Sequence, residues 1–182
     1  DWKPSQPVAC LIGENDSGKS NLLRSFEFLA VCAQKPLHEV FHQNRLFSHY
    51  ATPGSDSFRI ALEGKHLFKD QTLDFRYELK VSQSFESGPA IVDEEILVVG
   101  DYELHRESER FQVVQKGEKQ PKNQVSPTQT LLQLMASVSS DQLEIARALN
   151  NNPARAFARD LSHFVTVRLN AATIRAACEP DR

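Results

Sequence analysis

The sequence predicts an α/β fold: a strand, a glycine-rich turn and a helix, then an antiparallel β-subdomain, then helices toward the C-terminus. Three observations predict it. An apolar run, Val8-Ala9-Cys10-Leu11-Ile12, enters Gly13-Glu14-Asn15-Asp16-Ser17-Gly18-Lys19-Ser20, and a helical pattern follows at once. Three strand-like runs then lie between 58 and 99, and in the middle one Leu73, Phe75, Tyr77, Leu79 and Val81 alternate with polar residues. Beyond 126, apolar residues recur at helical spacing.

The first element is the buried strand at 8–12. Residues 13–20 then form a complete G-x-x-x-x-G-K-[ST] run in the order strand, loop, helix that such a run requires. Gly13 and Gly18 let the backbone turn tightly and approach phosphate oxygens without a Cβ in the way. The backbone N–H groups of Glu14, Asn15, Asp16 and Ser17 then point inward as an anion nest. The following helix adds the positive end of its dipole. Lys19 supplies a point charge for β- and γ-phosphates, and the Ser20 hydroxyl is placed to hold Mg²⁺.

The next elements follow from periodicity and punctuation. A helix runs from Lys19 to about Ala33, with Leu22, Phe26, Leu29, Ala30 and Ala33 expected to pack on the sheet. A shorter helical stretch, 37–47, enters just after Pro36. Residues 51–57 are a loop by composition. Strands are expected at 58–62, 73–83 and 90–99, with a further hairpin at 101–106 and 110–114. Residues 116–126, rich in Lys, Gln, Gly and Pro, read as an exposed, mobile loop. A helix over 130–150, another from Pro153 to about His163 and a strand over 164–169 complete the chain.

Composition is that of an ordinary globular chain: 182 residues, 40% hydrophobic, 25% charged and net charge −3. One domain over 1–182 accommodates this length, with segments 8–50, 56–115 and 127–182. No Lys/Arg block advertises nucleic acid, and no long apolar run or leader pattern points to a membrane, so the chain reads as cytoplasmic. Cys10, Cys32 and Cys178 are far apart and lack metal-ligand spacing, so buried reduced thiols are expected. His38 and His42 stand four apart, a spacing more common on a surface than at a metal.

The finer spelling, Gly-x-Asn-x-Ser-Gly-Lys-Ser followed by Asn21-Leu22-Leu23, resembles the ABC-like ATPases related to RecF, SMC and OLD proteins. Within that group it is most similar to stand-alone bacterial AAA-family ATPases. Asp16 stands where many relatives have Gly; Asp tolerates left-handed backbone better than most residues. The strand run 58–99 is similar to that family's β-subdomain, where one strand carries an acidic residue before a Leu. The resemblance implies a P-loop NTPase lobe of ABC-ATPase-like type. Its binding stretch would be Gly13, Glu14, Asn15, Asp16, Ser17, Gly18, Lys19, Ser20 and Asn21, with Lys19 the catalytic candidate and Ser20 the Mg²⁺ ligand. It implies ATP and Mg²⁺ as cofactors, and hydrolysis in an ATP-sandwiched homodimer. It also implies a role beside DNA, or beside a nuclease or toxin in anti-phage defence. The chain opens at Asp1 without the strand that precedes the loop strand in relatives, so it is expected to be the N-terminal part of something longer.

Several look-alikes weaken on inspection. A hydrolytic acidic motif needs four apolar strand residues, then Asp for Mg²⁺ and Glu for the water. Ala90-Ile91-Val92-Asp93-Glu94 has the acids but only three apolar residues, and Gly88-Pro89 precedes them. Ile96-Leu97-Val98-Val99-Gly100-Asp101 interposes a Gly and lacks the Glu. Both read as β-subdomain strands. Ser139-Ser140-Asp141-Gln142 resembles an ABC signature, but Asp141 would repel phosphate, and a plain helix is the simpler reading. Gln112, Gln115 and Gln124 are equal candidates for the family's Mg²⁺-binding Gln. Arg168 and Arg175 flank a strand end, where surface ion pairing is the ordinary use. A nucleotide-binding lobe without hydrolysis and a P-loop kinase are the alternatives; the dispersed Arg residues count against the kinase.

Overall fold

The computed structural model describes residues 19–41, 47–83, 88–137 and 152–164. Helix α1 (Lys19–Cys32) is followed by a single-turn helix α2 (Leu37–Val40) and a 3₁₀ turn (Phe47–His49). An antiparallel sheet follows: β1 (Ser57–Phe68), β2 (Gln71–Gln83), β3 (Ala90–Val99), β4 (Tyr102–Glu107) and β5 (Arg110–Gln115). The short strands β6 (Glu118–Lys119) and β7 (Asn123–Gln124) come next, then helices α3 (Leu131–Ser137) and α4 (Pro153–Ser162).

The sheet is a meander in the order β1-β2-β3-β4-β5, with β6 and β7 both paired to β5. Each strand from β1 to β6 neighbours the next in sequence, so those connections are hairpins, while β7 returns to β5 beside β6. Its first hairpin is longer than the sequence pattern shows. β1 extends to Phe68 and β2 starts at Gln71, because Lys69 and Asp70 both take positive φ (48° and 65°) in a two-residue turn. Neither residue is glycine, so the usual turn signal is missing. Gly64 faces Phe75 across this hairpin. A Cβ there would come within 2.9 Å of the Phe75 ring, which fills the space over the glycine.

One face of the sheet is apolar and carries the helices. Phe58, Tyr77, Leu79, Val81, Val92, Leu97, Val99, Leu104 and Phe111 are buried in one core with Phe28, Leu29, Cys32 and Ala33 of α1. Each fully buried Phe or Leu contributes about 1.5–3 kcal/mol. Phe28 heads an aromatic cluster, with ring centroids 4.5 Å from Tyr50, 5.6 Å from Phe58 and 5.8 Å from Phe41. In α4, Phe157 packs on Phe75 at 4.6 Å and edge-on to His66 at 5.7 Å. Burial pulls the His66 imidazole below its ordinary pKa, and Asp160 opposes this.

Three expectations change. Leu29, Ala30 and Ala33 of α1 are buried as expected, joined by Phe28 and Cys32, while Leu22 is 42% exposed and Phe26 is half-buried against Phe164. Leu22 lies about two turns before Leu29 on the same face, and the described core gathers on the C-terminal half. Residues 116–126 are not a free loop. Lys116 and Gly117 take positive φ and turn the chain back so that β6 and then β7 hydrogen-bond to β5. The second helix is the single turn Leu37–Val40, closed at Phe41, and Phe47 belongs to the separate 3₁₀ turn. α4 begins as expected, with Pro153 at its first position and the Asn152 side chain accepting from the Ala154 N–H at 2.8 Å.

Candidate functional site

The predicted binding residues Gly13, Glu14, Asn15, Asp16, Ser17 and Gly18 lie outside the described residues, as do His42, the signature look-alike at 139–142, Arg168 and Arg175. Lys19, Ser20 and Asn21 form the opening turn of α1. That turn contains no acidic residue, so nothing within it neutralises the positive end of the helix. A phosphate group fits such an end, and Mg²⁺ bound with it would neutralise the phosphates' charge. Ser20 is the residue that would hold the ion.

The acidic look-alikes resolve by geometry. Glu94 is exposed, on the sheet face away from the helices, where its carboxylate pairs with Arg59 at 2.9 Å. Asp93 accepts from the Ser82 hydroxyl at 2.8 Å and lies 3.7 Å from Lys80. Asp101 occupies the turn between β3 and β4, where its carbonyl accepts from the Lys116 N–H at 3.2 Å. The Glu94 and Asp93 carboxylates are thus engaged within the sheet, and Asp101 sits in one of its turns. The amides of Gln112 and Gln115 donate to the Gln120 carbonyl at 2.8 Å and the Tyr102 hydroxyl at 2.9 Å, and Gln124 pairs with Arg110 in the sheet. His38 approaches the Thr128 hydroxyl at 3.4 Å. Among the described residues no group of three His, Cys, Asp or Glu side chains is placed to hold a metal.

Sequence reasoning misses the main polar cluster of the described structure. Glu95 and Arg106 are direct cross-strand neighbours on β3 and β4, and both are buried against the helices. One Glu95 oxygen accepts from the Tyr77 hydroxyl at 2.7 Å, and the other accepts from the Leu131 N–H at 2.7 Å, at the start of α3. The Arg106 guanidinium lies 3.7 Å from that second oxygen. It donates to the carbonyls of Ser108 at 2.7 Å, Ser126 at 2.9 Å and Gln129. Each guanidinium nitrogen and each carboxylate oxygen thereby has a partner, which buried charge requires.

Burial governs the titration of this cluster. It raises the Glu95 carboxyl from an ordinary 4.5 to about 7, against the opposing pull of Arg106 and the N–H donors. It raises the Tyr77 phenol well above its ordinary value, so Tyr77 remains a donor. It lowers the Arg106 guanidinium, while Glu95 pulls the other way.

A β-bulge puts Glu95 there. Lys80 pairs with Glu94 and Val81 with Val92, so Asp93 is the extra residue on β3. The buried set switches from Ala90 and Val92 to Glu95, Leu97 and Val99 across it. A signal was available in β4: Arg106 is in phase with the inward Leu104, and a charge at an inward position calls for a buried acid.

Comparison with known proteins bears on the site as a whole. A family model described as "AAA domain, putative AbiEii toxin, Type IV TA system" matches residues 8–177, nearly the whole chain. The chain belongs to this AAA-domain family, and the match takes in the loop, α1 and the antiparallel sheet. Membership carries nucleotide binding as its general expectation. No curated protein and no solved structure matches the chain. Among the described residues no helix is long and apolar enough to cross a membrane.

Proposed function

We propose that this chain binds Mg-ATP in a P-loop NTPase lobe and, as a homodimer, hydrolyses it to drive movement of attached elements. The observation that carries this reading is the complete run from Gly13 to Ser20, leading directly into α1 with no acidic residue in its first turn. Gly13 and Gly18 give the backbone its turn, and the N–H groups of Glu14, Asn15, Asp16 and Ser17 bind phosphate oxygens. Lys19 neutralises the β- and γ-phosphates, Ser20 holds Mg²⁺, and Asn21 closes the stretch. Membership of an AAA-domain family supports nucleotide as the ligand. The finer likeness to RecF-, SMC- and OLD-related ATPases supports the dimeric sandwich. The toxin–antitoxin wording of the family description supports a place in defence, beside a nuclease or toxin partner or on DNA.

Steady-state phosphate release, with Lys19→Ala as control, tests the reading. Release that Lys19→Ala abolishes supports an ATPase. Binding without release identifies a nucleotide-binding lobe, and transfer to an added acceptor identifies a kinase. Equal binding by wild type and Lys19→Ala removes the loop from the account.

A further inference from the structure

The C-terminal end of α1 leaves a buried carbonyl to be satisfied, and the chain satisfies it from 98 residues away. Cys32 is the last residue of α1, so its carbonyl has no partner within the helix, and the residue four on, Pro36, has no N–H to offer. Cys32 is buried, so water does not replace the missing donor. The Thr130 hydroxyl donates to this carbonyl at 2.8 Å. The same Oγ1 accepts from the Gln133 N–H at 3.1 Å, so one buried hydroxyl ends α1 and caps α3.

Thr130 is itself held from both sides. The next residue, Leu131, gives its N–H to Glu95, and the carbonyl of the preceding residue, Gln129, accepts from Arg106. Two residues earlier, the Thr128 carbonyl accepts from the Leu37 N–H at 2.7 Å, beside the same α1–α2 junction. The Val92 N–H donates to the Pro127 carbonyl at 2.9 Å and so ties the segment back to β3. A continuous path of hydrogen bonds therefore runs from the sheet, through 126–131, to the last residue of α1. The first residue of that helix is Lys19, about 20 Å away.

We propose that Thr130, seated by Glu95 and Arg106, is a positioning residue: it anchors the far end of α1 to the sheet and so sets the placement of the helix that opens with Lys19 and Ser20. The anchor stands on the hydrogen bonds alone. Its effect on nucleotide affinity rests on the reading of residues 13–21 as the binding site. A rigid helix held at one end transmits a change of angle to the other, and phosphate binding is sensitive to sub-ångström placement of its donors.

The test compares wild type, Thr130→Val, Thr130→Ser and Lys19→Ala in the intact protein. Valine keeps the shape and loses both hydrogen bonds; serine keeps the hydroxyl. Backbone amide exchange without nucleotide reads the anchor, and Mg-ATP affinity reads its consequence. Thr130→Val raises exchange in the last turn of α1 and the first turn of α3 roughly tenfold, weakens Mg-ATP roughly tenfold, and leaves exchange in β4 and β5 unchanged. Thr130→Ser restores both. Unchanged exchange at α1 in Thr130→Val overturns the anchor. Raised exchange with unchanged affinity, in a protein whose binding Lys19→Ala abolishes, overturns the positioning role and leaves the binding site standing. If wild type and Lys19→Ala bind alike, the reading of the loop fails, and exchange alone decides the anchor.

Discussion

Glu94 and Glu95 are neighbours in sequence with the same side chain, and they sit in opposite environments. Glu94 lies on the solvent face among Arg59, Lys80 and Glu78, where ion pairs of 2.9–4.0 Å form a loose ladder that is most exposed at Arg59 and Glu94. Glu95 lies under α3, fully enclosed, with two short hydrogen bonds and Arg106 across the strand. The contrast separates what a charged group does from where the backbone puts it. On the outer face, high dielectric and long mobile side chains leave each pair little net energy. On the inner face, neither member is dispensable while the other remains, because an orphaned charge there has no water to turn to.

The largest effect should come from breaking the inner pair on one side. Arg106→Met keeps much of the side chain's volume but leaves Glu95 without its cation and the carbonyls of 108, 126 and 129 without donors. The expected loss is about 3–5 kcal/mol in a urea titration. Removing both charges together, Glu95→Leu with Arg106→Met, should cost less than Arg106→Met alone. A double variant that is less stable than the single one would break the contrast, since the cluster would then contribute more than mutual neutralisation.

Next is pH. The Glu95 carboxyl rises from 4.5 to about 7 on folding, so between those values the folded chain binds a proton that the unfolded chain has released. The contribution of Glu95 to stability is therefore fully present below the unfolded pKa and is lost as pH rises through about 7. The span corresponds to a loss of order 3 kcal/mol, reduced by any relaxation of the pocket. Glu95→Gln should flatten this slope in thermal melts between pH 5 and 8, whereas Glu94→Gln should leave it in place. A slope that survives Glu95→Gln assigns the titration to another group.

The bulge that sends the two residues to opposite faces explains how much the sequence could reveal. The helix after the loop run and the five main strands follow from local spacing, but β1 runs six residues past its expected end and the second helix stops seven residues short of its own. Strand parity was a different matter. Period-two reading from Ala90 and Val92 makes Glu94 the inward residue and turns Leu97 outward, which is the reverse of the structure. No turn residue or glycine announces the extra position at Asp93. The tie between Thr130 and Cys32 was equally hidden, since it joins residues 98 apart through one hydroxyl. Local pattern specifies elements; pairs distant in sequence specify which polar groups meet.

Deleting Asp93 is a smaller and more pointed change. Without it, Ala90, Val92, Glu95, Leu97 and Val99 fall into unbroken alternation, so every buried residue keeps its face. The cost is the Ser82 hydrogen bond, the Lys80 contact and the bond from the Ser108 N–H to the Asp93 carbonyl at 2.8 Å. The deletion should cost about 1–2 kcal/mol, and the pH slope assigned to Glu95 should persist. A deletion variant as unstable as Arg106→Met would mean that the kink itself, rather than the facing it permits, holds β3 against the helices.

The outer ladder should respond least. Arg59 donates to Glu78 at 3.3 Å and to Glu94 at 2.9 Å, yet its side chain is 53% exposed, as is that of Glu94. Arg59→Ala should cost less than about 1 kcal/mol, and 0.5 M salt should shrink that difference further. The inner pair should be nearly indifferent to the same salt, because ions do not reach it. If salt instead moved Arg106→Met and Arg59→Ala alike, solvent would have to reach Glu95, and the raised carboxyl and its pH slope would lose their cause together.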